Sequence, residues 1–70
     1  MLTELEKVVV EVLRERGDRA TLKEVAVELY RRGYSPRMAS NAFYYLAIKG
    51  VVRRAGKGVY ELAGGAGEAR

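Results

Sequence analysis

The chain has no cysteine, no histidine and no glutamine, and a single asparagine among its 70 residues. Without Cys or His there is no disulfide, no thiolate nucleophile, no imidazole base and no Cys/His zinc site. No apolar run reaches membrane-spanning length, and the N-terminus lacks a basic segment followed by an apolar stretch. A soluble, cytoplasmic protein is therefore the expectation. There is no Gly-rich phosphate loop and no carboxylate pair that marks a pocket, so the chain reads as a non-enzyme needing neither cofactor nor metal. The lack of Gln and near-lack of Asn, beside abundant Arg, Glu and Val, suit a protein from a hot environment.

Acidic residues are missing from one long stretch. The net charge is +4, from 13 Lys and Arg against 9 Asp and Glu. Residues 1–16 hold three basic and four acidic residues, and residues 17–34 hold four and three. Residues 35–60 hold five basic residues (Arg37, Lys49, Arg53, Arg54, Lys57) and no acid. An anionic partner is favoured there, with a nucleoid-associated location.

A chain of this length makes one domain with a small core. Thr3-Glu4-Leu5-Glu6 has capping-box spacing, and Leu5, Val8, Val9, Val12 and Leu13 follow as one apolar stripe. Gly17 ends this first helix. Leu2 and Val10 lie off the stripe and offer a homodimer contact through helix one. Thr21-Leu22-Lys23-Glu24 is a second capping box. It opens a helix with the stripe Leu22, Val25, Ala26 and Leu29, closed by Gly33. Arg19-Ala20 can form a very short strand, and Tyr34 is expected to pack under the turn.

SPRMASNAFYYLAIKG, residues 35–50, predicts a third helix. Ser35 suits the N-cap, Pro36 the first helical position, and Gly50 the stop. The helical period buries Ala39, Ala42, Phe43 and Leu46 and turns Arg37, Ser40, Asn41, Tyr44 and Ile48 outward. Tyr45 is expected to flank the core. After Gly50 the period changes to two. Val51–Ala55 and Val59–Leu62, separated by Gly56-Lys57-Gly58, read as a β-hairpin with Val52, Tyr60 and Leu62 closing the core. Residues 63–70 are expected to be a flexible tail.

This order resembles the winged helix-turn-helix family of DNA-binding domains over roughly residues 3–62. The most specific stretch is Ala39, Ala42, Phe43, Leu46, Gly50, Val51 and Val52: small or apolar core positions, then Leu, three residues, Gly, and a β-branched pair. The resemblance implies an α+β fold, a three-helix core at residues 1–62 followed by a two-stranded β-hairpin wing. It also implies a small stand-alone member, binding double-stranded DNA as a transcriptional regulator. Helix 36–49 would lie in the major groove, and the 51–62 hairpin on backbone or minor groove.

The residues agree on physical grounds. Arg37 can take guanine bidentately and Asn41 adenine, Ser40 can bond a base or a phosphate, and Tyr44 can reach phosphate or pack on a sugar. Ser40 and Asn41 are poor helix formers on an exposed face, a local inconsistency that tends to mark function. Ser35, Lys49, Arg53, Arg54 and Lys57 are candidates for backbone and wing contacts, with only one of Arg53 and Arg54 facing DNA. Arg31 and Arg32 favour the C-terminus of their own helix over DNA. About six phosphate contacts would give a salt slope near −5.

Tyr44 stands six residues before Gly50, as in Z-form nucleic-acid binding domains. However, Ser40 falls where those carry Asn, and the hairpin lacks their Pro-Pro-aromatic element, so B-form DNA is the expected target. The alternative is a protein-interaction module of a transcription or replication assembly, whose helix-three face would be more apolar and would include acids.

Overall fold

The computed structural model describes residues 1–63. The chain is α+β: helix α1 (Glu4–Glu15), strand β1 (Arg19–Thr21), α2 (Leu22–Arg31), α3 (Met38–Ile48), β2 (Val52–Gly56) and β3 (Val59–Leu62). Both capping boxes form. Thr3 Oγ1 accepts from the Glu6 amide at 3.1 Å and Glu6 Oε1 accepts from the Thr3 amide at 2.9 Å. Thr21 and Glu24 repeat the exchange at 3.0 and 2.9 Å. Each pair satisfies two amides that a helix start otherwise leaves unpaired.

All three helices end the same way. After α3, the Gly50 amide donates to Ala47 O at 3.0 Å and the Val51 amide to Leu46 O at 2.9 Å. This reversal needs a left-handed residue, and Gly50 supplies it at φ +78 without a Cβ penalty. Gly33 does the same after α2, and the Tyr34 amide reaches Leu29 O at 2.8 Å. Tyr34 then packs half-buried against the core, as its place under the turn suggests.

The start of α3 differs from expectation. The α-helix begins at Met38, with Arg37 as its N-cap and no side-chain cap bond. Ser35 and Pro36 instead form a tighter preliminary turn, in which the amides of Met38 and Ala39 donate three residues back to Ser35 O and Pro36 O. Ser35 Oγ accepts from the Arg37 amide at 3.3 Å, so it caps this turn and not the helix proper.

The expected two-stranded hairpin forms, β2 pairing with β3, but it does not stand alone. β1 joins it, giving a three-stranded antiparallel sheet in the order β1-β3-β2. The Arg19-Ala20 strand forms and runs on to Thr21, pairing Arg19 with Glu61, Ala20 with Tyr60 and Thr21 with Val59. β2 runs to Gly56, one residue further than its apolar pattern suggests, and Ala55 bulges between the pairs Arg54–Tyr60 and Gly56–Val59. Ala63 is tied in as well, its amide donating to Val51 O at 2.8 Å. The rest of the expected tail lies outside the described residues.

The core is drawn from the predicted stripes, with Leu5, Val8, Leu22, Ala26, Tyr60 and Leu62 only half-buried at its edge and Ala20 added to it. Val9, Val12 and Leu13 of α1 meet Val25 and Leu29 of α2. Ala39, Ala42, Phe43 and Leu46 of α3 close on them from the other side, and Val52 and Ala20 seal the sheet. Tyr60 lies half-buried with its ring parallel to Phe43, centroids 4.2 Å apart, which fastens α3 to the sheet. Leu2 and Val10 also pack half-buried against this core. Part of the surface expected to mediate a homodimer through helix one is thus used within the chain. Among the described residues no helix is long and apolar enough to cross a membrane.

Candidate nucleic-acid interface

The outward face of α3 carries the expected set. Arg37, Ser40, Asn41 and Tyr44 are all exposed, and so is Ile48. Arg37 and Asn41 stand four residues apart, as do Ser40 and Tyr44, so each pair lies on one line of the helix surface. The face is nevertheless richer in apolar surface than its polar residues imply. Ile48 is 65% exposed, Tyr44 62%, Tyr45 51% and Met38 41%. Tyr45 does not flank the core; it stands in solvent beside Tyr44, the rings edge to face with centroids 5.2 Å apart.

The sheet brings the tip of the hairpin to the start of α3. The Leu22 amide, one of the donors that the start of α2 leaves free, bonds Gly58 O at 2.8 Å. With the Thr21–Val59 pair behind it, this anchors the tip. Lys57 therefore sits on a turn whose next residue, Gly58, is hydrogen-bonded to the start of α2. The result is a groove of about 580 Å³ between α2, α3 and the tip. Arg37, Ser40 and Lys57 line it together. Asn41 and Tyr44 lie outside it, further along α3.

Lys23 also lines this groove and was not singled out in the sequence. Its signal was local: it is a cation in the first turn of a helix, where the dipole disfavours positive charge. Its proximity to Lys57 depends on the pairing of β1 with β3, which spacing alone does not show.

Two of the expected wing and backbone cations are committed elsewhere. Lys49 Nζ lies 2.6 Å from Glu6 Oε1 and 3.1 Å from Met1 O. Glu6 is the one buried charged residue among those described, and its ammonium partner joins the end of α3 to the start of α1. The Lys49 hydrogen bond, with the Thr3 amide second, holds the Glu6 carboxyl below its usual 4.5. Arg53 Nε lies 2.7 Å from Glu61 Oε2, while Arg19 takes the other oxygen at 2.8 Å. The two guanidiniums, Arg53 first, lower the Glu61 pKa. These three residues form a ladder across the sheet on the face away from the core.

Arg54 is on the opposite face, level with Tyr60, and donates to Gly56 O at 3.3 Å with no acid beside it. Alternation had required Arg53 and Arg54 to separate, and Arg54 is the one that keeps its charge unmatched. Arg31 and Arg32 follow the structural reading. Arg31 pairs with Glu28 at 3.1 Å, and Arg32 reaches Glu11, Glu15 and Glu28 at 3.4, 3.2 and 3.9 Å. Among the described residues, four cations toward α3 and the tip have no carboxylate partner: Lys23, Arg37, Arg54 and Lys57. No family model matches the chain, and neither the curated proteins nor the solved structures give a match.

Proposed function

We propose that the chain is a duplex-DNA-binding protein of the winged helix-turn-helix type, acting as a transcriptional regulator. In this reading α3 enters the major groove and the hairpin 51–62 lies on the backbone or minor groove. The observation that carries it is the convergence of Arg37 and Ser40, at the start of α3, with Lys57 at the anchored tip. A helix start and a cationic turn lining one groove, with no acid among its described lining residues, are what a duplex asks for: base edges for the helix and phosphates for the turn. Asn41 then faces adenine and Arg37 guanine, each able to bond bidentately. Tyr44 packs on sugar or a thymine methyl.

The ion pairs change the electrostatics. With Lys49 and Arg53 matched by Glu6 and Glu61, three of the five cations of residues 35–60 are left, and Lys23 brings the number that can face the duplex to four. The salt slope falls from near −5 to about −3.6. One measurement tests the reading: selection of bound sequences from a random duplex pool at two salt concentrations. A recovered motif with a slope near −4 supports a sequence-reading regulator, and recovery without a motif an architectural role. Failure to retain any duplex at low salt overturns the proposal.

A second reading has its own support. Met38, Tyr44, Tyr45 and Ile48 give α3 an exposed apolar stripe of the kind that marks protein contacts. A protein-interaction module of a transcription or replication assembly would bury that stripe. Tyr45→Ser separates the two: Tyr45 has no assigned place in the duplex, so DNA affinity holds, whereas binding of a protein across the stripe falls.

A further inference from the structure

We propose that the groove between the start of α2, the start of α3 and the hairpin tip is a binding site for a small aromatic carboxylate. Three features select that chemistry. Leu22, Ala26 and Pro36 give the groove an apolar lining, and its volume of about 580 Å³ lies within the range of small-molecule sites. Three cations, Lys23, Arg37 and Lys57, stand around that lining, and no acid lines it. The nearest acid in sequence, Glu24, is engaged by the Thr21 amide at 2.9 Å and by Arg16 at 3.7 Å.

A bare inorganic anion meets the cations but leaves the apolar lining wet. A neutral aromatic covers the lining but leaves the positive charge unanswered. A flat apolar body bearing one carboxylate satisfies both. The guanidinium fork of Arg37 matches a carboxylate bidentately, and the Ser40 hydroxyl, three residues on, donates from the same side of α3. The walls are preformed, because the Leu22–Gly58 bond and the β1–β3 pairing fix the tip against α2. Little ordering is then required on binding.

The site has a regulatory consequence. Arg37, Ser40 and Lys57 also serve the proposed duplex contact, so a seated carboxylate and a duplex exclude each other. That exclusion rests on the DNA reading; the ligand site itself does not.

The test is a two-dimensional amide NMR titration of the full chain, without DNA, using indole-3-acetate, indole-3-acetamide and inorganic phosphate as three separate probes. Indole-3-acetate is expected to give saturable shifts confined to residues 21–26, 36–40 and 57–58. The amide and phosphate are each expected to bind at least roughly tenfold more weakly, the loss of one good charge-assisted contact. Equal binding by either control overturns the proposal, as do shifts centred on Tyr44, Tyr45 and Ile48.

Arg37→Ala removes an exposed side chain that makes no capping bond. It is expected to weaken indole-3-acetate by about tenfold and leave the acetamide unchanged. Ala26→Glu adds a carboxylate to the groove and is expected to abolish binding of the acid. Unchanged acid binding in Arg37→Ala overturns the assignment, and so does unchanged binding in a folded Ala26→Glu. A duplex titration on the same sample reads the DNA proposal separately, so either can fail while the other stands.

Discussion

The surface shared by α1 and α2 and the surface shared by α3 and the hairpin tip use the same kind of residue in opposite ways. On the first, Arg16 faces Glu24 and Glu28, and Arg32 faces Glu11, Glu15 and Glu28. Both of those guanidiniums have carboxylate partners. On the second, Lys23, Arg37 and Lys57 gather around one groove with no acid among them. The difference teaches that net charge locates nothing by itself. What matters is which cations the fold leaves unmatched, and the acid-free stretch 35–60 overstates that number because Glu61, one residue beyond it, and Glu6, far away in sequence, fold against it.

The largest effect should come from the joint that holds the second surface in place. Phe43→Ala removes the ring stacked on Tyr60 and empties the centre of the core. It should cost about 3–5 kcal/mol. A domain of this size holds only roughly 3–10 kcal/mol in all. Thermal melting should show a collapsed or much lowered midpoint, with α3 and the sheet losing amide protection together. Retention of the wild-type midpoint would mean that α3 is held by α1 and α2 alone.

Lys49→Met asks to which surface Lys49 belongs. If Lys49 faced DNA, the salt slope would shrink by about one unit. The expected outcome is an unchanged slope with a lower melting midpoint, because Glu6 loses its ammonium partner in a buried place. The pH dependence has a definite sign. The folded-state pKa values of Glu6, Glu24 and Glu61 all lie below 4.5. Their contributions are present above the unfolded value and are lost as pH falls through the lowered folded values. Stability should be level above about pH 5 and fall on further acidification. In Glu6→Gln that fall should be shallower, and an identical acid profile would show that Glu6 is not among its causes.

Local signals were legible in the sequence and distant ones were not. The capping boxes at Thr3 and Thr21, the three glycine stops and the Ala39, Ala42, Phe43, Leu46 stripe are each written within a few residues. The structure reproduces them. Apart from the Ser35 cap and the side taken by Tyr45, the errors involve partners far apart along the chain. Lys49 meets Glu6 across 43 residues, and Leu22 meets Gly58 across 36, and no spacing rule relates them. Arg53 and Glu61 are an intermediate case: once Val52 faces Leu62, Arg53 must face Glu61, so the hairpin register held that pair. The turn at Ser35 misled because a serine followed by proline caps a tight turn as readily as a helix.

Within the second surface, Arg37 and Lys57 line the same groove but are expected to differ in kind. Arg37→Ala should cost about 1–3 kcal/mol at a preferred sequence and relax the preference. Lys57→Ala should weaken all duplexes alike and lower the slope by about 0.9. Competition binding on preferred and scrambled duplexes separates them. Identical behaviour would merge both residues into one backbone-holding group and leave base reading to Asn41 and Tyr44.

The smallest effect belongs to the matched surface. Arg16 lies 3.7 Å from both Glu24 and Glu28, at the long end of an ion pair, and its side chain is 37% exposed. Water and salt screen such contacts, so Arg16→Ala should change stability by no more than about 0.5 kcal/mol. It removes as much positive charge as Lys57→Ala does. If charge alone drew the duplex, the two variants would lose affinity equally in a low-salt titration. On the proposed reading they differ, because removing Arg16 leaves the groove unaltered. A loss for Arg16→Ala as large as that for Lys57→Ala would mean that charge alone draws the duplex and that the groove has no special part in holding it.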